Sequence, residues 1–302
     1  MYRIMIFEVI DRIGITPHSF LRLFFTGLFM SVNILSFLGC SSSFLLYPDR
    51  QTYASPAKSG FKVQESMLAS TDGTKIHTLY MQHPDHSTNP IKHIVLQFHG
   101  NGQNLSSHFF SSVWLLQMGL PVYIFDYRGY GKSEGEKSIS GTIEDCQMMF
   151  RFALEKAKQN DAKLILYGQS LGTSLIQVIL QNISIEDQKY ISLIIFDGGF
   201  LSYRQVAKDA ISIVLYPLAL LLLSDAPHPE KFKNPANIPV LIIHGEQDDV
   251  IHARHAHELH KHYQGSKLMM FPDTGHVDWM VKPVYRRELQ LLLGEILLKN
   301  TM

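Results

Sequence analysis

The chain has 302 residues, of which 46% are hydrophobic and 18% are charged, and its formal net charge at pH 7 is +0. That length suits one large α/β domain or two small ones, and the composition excludes a disordered chain. Because the sequence has no basic run, nothing in it indicates a nucleic acid as partner. The two cysteines, Cys40 and Cys146, are too few for a disulfide framework.

The N-terminal region predicts export. An uncharged, mostly apolar stretch, Leu23–Gly39, follows three arginines, which is the pattern of a secretory signal. It ends at Cys40 followed by Ser41, which resembles the lipobox of bacterial lipoproteins, where the cysteine is lipidated and becomes the mature N-terminus. We therefore expect a signal peptide over residues 1–39 and a polar tether over 40–59. The resemblance implies membrane attachment through Cys40, with the bacterial outer membrane or periplasm as location. The alternative is an uncleaved membrane anchor.

After the tether, short apolar runs rich in Ile, Val and Tyr alternate with longer amphipathic stretches. This alternation predicts a mostly parallel sheet with helices on both faces, opened by an antiparallel hairpin at one edge. The predicted strands are Phe61–Leu68, Lys75–Met81, His93–Phe98, Val122–Asp126, Lys163–Tyr167, Leu193–Phe196, Val240–His244 and Lys267–Phe271. The predicted helices are Ser106–Met118, Ser140–Lys158, Leu171–Gln181, Ala253–Tyr263 and Pro283–Leu298.

A nucleophilic serine is predicted at the end of the fifth strand. The apolar run Leu164–Tyr167 leads directly into Gly168-Gln169-Ser170-Leu171-Gly172, and a helical stretch follows. This is the G-x-S-x-G motif in the strand, turn and helix context that it requires. A free hydroxyl is a weak nucleophile at neutral pH, so Ser170 needs a base.

An acid and a base follow in the expected order. Asp248 comes just after the strand that begins at Val240, and His276 lies in the loop after the strand Lys267–Phe271. Ser, then Asp, then His is the chain order of a triad on this type of sheet. His276 would take the proton of Ser170, and Asp248 would fix the tautomer of His276 and stabilise its charged form.

The developing oxyanion requires two backbone N–H donors. Leu171, which follows the nucleophile, would supply one of them. The second is expected from the loop Phe98–Gly102, where we favour the N–H of Asn101. His99 in the same loop is expected to support the loop and to take no part in the chemistry.

These segments together resemble a known family. The sequences FHGNGQN, DYRGYGKSEG, YGQSLG and HGEQDDVI and the final GH are similar to the abhydrolase-domain branch of the α/β-hydrolases. Its members include monoacylglycerol lipase-like enzymes, depalmitoylases and serine-aminopeptidase-like proteins. The resemblance implies an α/β-hydrolase domain over residues 60–302 with a small cap at about 200–236. It also implies that Asp126 and Arg128 brace the loop beneath the site.

Within the expected cap, the run Ala210–Leu223 is unusually apolar, while Pro217 and the short length of the run argue against a membrane span. We therefore predict a serine hydrolase, an esterase, lipase or thioesterase, that acts on a hydrophobic small-molecule acyl substrate. A peptidase or amidase with the same triad and a non-catalytic lipid-anchored binding protein are the alternatives. No cofactor is predicted, because the sequence has no glycine-rich phosphate loop. No metal site is predicted either, because there is no Cys/His zinc spacing and the histidines between His252 and His262 are typical of a solvated helix.

Overall fold

The computed structural model describes residues 45–86, 90–210, 223 and 226–299. The predicted signal sequence, Cys40 and most of the apolar run that begins at Ala210 lie outside the described residues. Across the described part of the chain, no helix combines the length and the apolar character that a membrane crossing requires.

One eight-stranded sheet carries the domain, with the spatial order β1-β2-β4-β3-β5-β6-β7-β8. Strand β2 is antiparallel to β1 and β4, and the remaining pairs are parallel. The eight predicted strands and the edge hairpin are therefore confirmed. The strands are β1 Lys62–Ala69, β2 Lys75–Gln82, β3 His93–Phe98, β4 Val122–Phe125, β5 Lys163–Gln169, β6 Ile191–Asp197, β7 Val240–Gly245 and β8 Lys267–Phe271.

Helices lie on both faces of this sheet. They are α1 Leu105–His108, α2 Val113–Gln117, α3 Ile139–Gln159, α4 Leu171–Leu180, α5 Ile185–Gln188, α6 Tyr203–Ala210, α7 Arg254–His262 and α8 Pro283–Lys299. Single turns of 3₁₀-helix occur at Pro84–His86, Phe109–Ser112, Pro229–Lys231 and Trp279–Val281.

The continuous helix predicted over Ser106–Met118 is wrong, because two short helices flank a 3₁₀ turn there. Within that turn, Ser111 Oγ donates to His108 O at 2.7 Å and Ser112 Oγ donates to Phe109 O at 2.9 Å. Serine hydroxyls that bind nearby carbonyls in this way compete with regular helical hydrogen bonds.

The core has two layers, one on each face of the sheet. The first layer contains buried residues of α3, α4 and α7, and the second contains buried residues of α1, α2 and α8. Every residue of β3, β6 and β7 is buried, as expected for parallel strands covered on both faces. The carboxyl ends of β5 to β8 consequently lie side by side at one edge, which is where open α/β sheets bind ligands.

The folded part of the chain begins before residue 60, where the sequence placed the domain boundary. Residues 45–53, which we call the strap, lie against the domain. Leu46 is 2% exposed and belongs to the core. Lys137 Nζ donates to Leu46 O at 3.0 Å, and Gly131 N–H donates to Asp49 O at 2.8 Å. Burial of an apolar side chain therefore holds a segment whose polar composition resembles that of a free tether.

Candidate active site

Ser170 occupies a strained turn between β5 and α4, with φ +51° and ψ −113°. A non-glycine residue in this region costs about 1–3 kcal/mol, and such strain is concentrated at functional sites. The two flanking glycines permit the turn. A Cβ on Gly172 would overlap the carbonyl of Phe98, and a Cβ on Gly168 would lie 2.8 Å from the Gly172 backbone. The turn therefore requires glycine at both positions and presents Ser170 at the carboxyl edge of the sheet.

Asp248 and His276 are hydrogen-bonded to each other, with 2.7 Å between Asp248 Oδ2 and His276 Nδ1. The other carboxylate oxygen, Oδ1, accepts the N–H groups of Val250 at 2.9 Å and Ile251 at 2.8 Å. Burial raises the pKa of Asp248, but hydrogen bonds from His244 and His276 outweigh it, so the net effect lowers the pKa of this carboxyl. An ionised Asp248 accepts from Nδ1–H of His276, which leaves Nε2 of His276 free to take a proton.

The turn after β6 brings Ser170 and His276 to the same place. Ser170 N–H donates to Asp197 O at 2.8 Å. A Cβ on the next residue, Gly198, would lie 3.1 Å from His276 Cε1. The hydrogen bonds of the described residues include none between Ser170 and His276. Such bonds in unliganded enzymes often tighten only when substrate is present.

The predicted oxyanion donors lie beside Ser170. A Cβ on Gly100 would be 3.6 Å from Ser170 Cβ, which places the loop after β3 against Ser170. Asn101 N–H and Leu171 N–H donate to no other atom in the described part of the chain. Leu171 is the first residue of α4, where backbone N–H groups lack intrahelical partners and the helix dipole favours negative charge.

His99 is fully buried and supports this loop. Its Nδ1 donates to Gly100 O at 2.7 Å, and its own carbonyl accepts the hydroxyl of Tyr127 at 2.9 Å. Burial lowers the pKa of His99 to about 3, so the ring is neutral at physiological pH.

Two further residues hold the loop, and the sequence analysis did not find them. His108 Nε2 donates to Gly102 O at 3.1 Å, while Nδ1 lies 2.8 Å from the side-chain oxygen of Gln169, which precedes Ser170. The Tyr130 hydroxyl donates to Asn101 Oδ1 at 3.0 Å. Tyr130 belongs to the segment that carries the family resemblance, and that was the available signal.

Of the two residues expected to brace the loop, Asp126 contacts it and Arg128 does not. Asp126 Oδ1 accepts Leu105 N–H at 2.7 Å, just beyond the oxyanion loop. Arg128 instead pairs with Asp145 at 2.8 Å and with Asp72 at 2.9 Å. It therefore joins α3 to the turn between β1 and β2.

Asp197 is a buried carboxylate that the sequence analysis missed. Its Oδ2 accepts the Tyr167 hydroxyl at 2.8 Å and its Oδ1 accepts Trp279 Nε1 at 2.9 Å. Burial raises the pKa of Asp197 to about 6. Since Trp279 lies three residues beyond His276, Asp197 joins the loop that carries His276 to β6, the strand that pairs with β5 just before Ser170.

Histidines of the α7 region make structural contacts. His255 Nε2 lies 2.8 Å from Asp209 Oδ2, His260 Nδ1 lies 2.8 Å from Ser266 Oγ, and His262 Nε2 donates to Phe232 O at 2.9 Å. Within the residues that the structure describes, no group of histidine, cysteine and acidic side chains could hold a metal ion.

Comparison with known proteins decides the family. Residues 89–223 match the family model described as Hydrolase_4, serine aminopeptidase S33. The YfhR protein of Escherichia coli K12 is 31% identical over 241 residues, which are 78% of this chain and 80% of that protein. The chain belongs to the α/β-hydrolase family. It is accordingly a hydrolase.

Other similar proteins are more distant in sequence. The lysophosphatidylserine lipase ABHD12 of Xenopus tropicalis is 27% identical over 223 residues, which cover 68% of this chain and 57% of that protein. Among solved structures, the Pyrococcus furiosus esterase Pf2001 superimposes with a TM-score of 0.65 at 19% identity, covering 84% of this chain and 98% of that one. The protein Est1E of Butyrivibrio proteoclasticus superimposes with a TM-score of 0.61 at 15% identity, covering 78% of this chain and 99% of that one. At these identities the structural likeness shows the fold.

Proposed function

We propose that this α/β-hydrolase cleaves acyl esters through an acyl-enzyme intermediate on Ser170. The observation that carries this proposal is the 2.7 Å hydrogen bond between Asp248 and His276 at the strand ends beside the strained Ser170 turn. This arrangement supports the proposal, because the reaction needs a nucleophile, a base and a group that orients the base close together at one edge of the sheet. Esters and thioesters both fit, because each loses its alcohol or thiol more readily than an amide loses its amine once His276 supplies a proton.

The steps follow from the geometry. Ser170 Oγ attacks the acyl carbon while His276 Nε2 takes its proton, and Asp248 stabilises the imidazolium that forms. The carbonyl oxygen becomes an oxyanion between the free N–H groups of Asn101 and Leu171, each worth about 10²–10³ in kcat by analogy with other oxyanion donors. His276 then gives its proton to the leaving oxygen or sulfur. Water repeats the sequence to release the acid and restore Ser170.

A hydrophobic acyl group is the substrate that we favour. A small crevice beside Leu171 has mostly apolar walls, which include Leu45, Ile139, Leu175 and Tyr203. The crevice has room for about one water molecule, so these apolar side chains are the surface that an acyl chain would contact and not a pocket that already encloses it. The name of one relative supports this choice, since ABHD12 is a lysophosphatidylserine lipase. The structural neighbour Pf2001 is an esterase, which supports an ester substrate in general.

A peptidase or amidase is the second candidate. The matching family model is described as a serine aminopeptidase, and the same triad would cleave amides. The leaving group is the point on which the two candidates differ, so matched substrates distinguish them.

The test is hydrolysis of p-nitrophenyl esters from acetyl to lauroyl, beside the p-nitroanilides of the same acids. We expect the esters to react faster, with kcat/KM rising along the series. Each methylene buried is worth at most ~0.8 kcal/mol, or about fourfold. Because a p-nitrophenyl ester is intrinsically far more reactive than the anilide of the same acid, turnover of the anilides at a rate comparable to that of the esters would favour the peptidase. A preference for the acetyl ester would contradict a hydrophobic acyl site. If the folded protein turned over none of these substrates, the remaining interpretation would be a non-catalytic binding protein.

We also propose that the enzyme is exported and held at a membrane, with the outer membrane or periplasm of a bacterium as its location. Cys40, followed by Ser41 and preceded by an apolar stretch, motivates this proposal. Mass spectrometry of the mature N-terminus should find a diacylglyceryl-modified Cys40. A chain that retains Met1, or one that is cleaved without lipid, would contradict lipidation.

A further inference from the structure

We propose that the strap, residues 45–53, belongs to the active site and contributes to catalysis and substrate binding. It would position the Asn101 N–H for the oxyanion. Its first residues would also form part of the apolar crevice beside Leu171 that the acyl chain contacts. This inference rests on the proposed function, because it assigns a role in that reaction to a segment that contains none of the triad residues.

Both the nitrogen and the oxygen of the Asn101 carboxamide bind the backbone of the strap. Asn101 Nδ2 donates to Leu45 O at 2.9 Å, and Tyr47 N–H donates to Asn101 Oδ1 at 2.9 Å. The side chain therefore pairs with the strap backbone as a neighbouring β-strand would. Because both ends of the carboxamide are engaged, the Asn101 backbone has little freedom to turn. Its N–H group makes no hydrogen bond within the described residues and remains available to substrate.

The strap also binds the remainder of the oxyanion loop. Asn104 Nδ2 donates to Asp49 Oδ1 at 2.9 Å and to Gln51 O at 2.7 Å. Tyr53 N–H donates to Ser106 Oγ at 3.0 Å. The strap and the loop thus run side by side over residues 101–106, so a displacement of one would displace the other.

The domain fixes the strap independently of this loop. Leu46 is buried in the core at 2% exposure, and its carbonyl accepts Lys137 Nζ. Asp49 O accepts Gly131 N–H at 2.8 Å. A segment anchored in this way can hold a neighbouring loop in place, whereas a free tether could not.

The strap also lies beside Leu171, the residue that carries the other proposed oxyanion donor. Leu45 and Leu46 line the apolar crevice together with Leu171, Leu175 and Tyr203. Because that donor lies on the backbone of Leu171, an acyl chain attached to the reacting carbonyl would contact this apolar surface, to which Leu45 belongs. The strap is accordingly placed to influence both the rate of the chemical step and the preference for acyl length.

The first test uses Tyr47→Pro in the full-length protein, with Tyr47→Ala as the matched control. Proline removes the N–H that binds Asn101 Oδ1, whereas alanine keeps it and loses only a side chain that is 58% exposed. For Tyr47→Pro we expect kcat to fall about 10- to 100-fold with KM changed less than about twofold, since part of one oxyanion donor is lost. Tyr47→Ala should match the parent protein.

The second test uses Leu45→Ala. A shorter side chain should raise KM for the lauroyl ester about three- to tenfold and leave the acetyl ester unchanged, because only the long chain reaches that wall. Hydrogen exchange of the peptide 99–106 is measured on every variant. It should be faster in Tyr47→Pro and unchanged in Tyr47→Ala, whether or not the protein hydrolyses any ester.

These readouts separate the two proposals. An inactive parent protein would refute the proposed function, while hydrogen exchange would still decide whether the strap positions the loop. A parent-like kcat and parent-like exchange in folded Tyr47→Pro would overturn the positioning role, even if its melting temperature fell. An unchanged lauroyl KM in Leu45→Ala would overturn the role of the strap in the acyl crevice.

Discussion

Replacing Ser170 with alanine should lower the kcat of ester hydrolysis about 10⁶-fold, as loss of the nucleophile does in other serine hydrolases. Alanine keeps the Cβ atom and therefore the strained turn at φ +51°. The N–H that donates to Asp197 O is also retained. We expect the free energy of unfolding to change by less than about 1 kcal/mol. Initial rates and thermal melts of parent and variant provide both measurements.

Ser184→Ala is the control for this change, because it should lower the stability of the protein and leave the rate of ester hydrolysis unchanged. Ser184 Oγ accepts Asp187 N–H at 3.1 Å and caps α5, which contributes no residue to the triad. Loss of a helix cap costs about 1 kcal/mol of stability. The rate should remain that of the parent protein. If Ser170→Ala kept more than a few per cent of parental turnover, Ser170 would not be the nucleophile.

Asp248→Asn should lower kcat about 10⁴-fold, as the corresponding change does in serine proteases. The carboxylate accepts His276 Nδ1–H at 2.7 Å, and an amide could place its own N–H there and favour the wrong tautomer. Because hydrogen bonds from His244 and His276 lower the pKa of Asp248 despite its burial, this group is ionised throughout the neutral range. The measurement is kcat/KM at several pH values.

Two other carboxylates serve as controls for this substitution. Asp249 is the exposed neighbour of Asp248, and Asp249→Asn should leave the rate unchanged. Asp197 is fully buried, and Asp197→Asn should cost less than Asp248→Asn because it contacts Trp279 and Tyr167 and makes no hydrogen bond to His276. Greater damage from either control would mean that a different carboxylate orients His276.

The sheet was predictable because its strands carry a local signal. Apolar runs such as Leu164–Tyr167 are buried on both faces, and each ends at a glycine or a polar residue. The proximity of Asp248 and His276 followed from the same reasoning, since both come directly after neighbouring parallel strands. A residue placed at the end of a strand thus has a position in space as soon as the sheet order is known.

Long-range contacts account for what the sequence did not reveal. The strap has the composition of a linker, and its attachment depends on partners such as Asn101 that are more than 50 residues away. His108 reaches Gln169 across 61 positions, and only the folded loop brings them together. Asp197 has no motif of its own, and its importance depends on the burial of Trp279 beside it.

Covalent labelling of the full-length protein with a fluorophosphonate, followed by peptide mass spectrometry, tests the central claim most directly. The account predicts one adduct per chain, on the peptide that contains Ser170, and no adduct in Ser170→Ala. An adduct on any other residue, or a folded parent protein that does not react, would contradict the assignment of Ser170 as the nucleophile of this hydrolase.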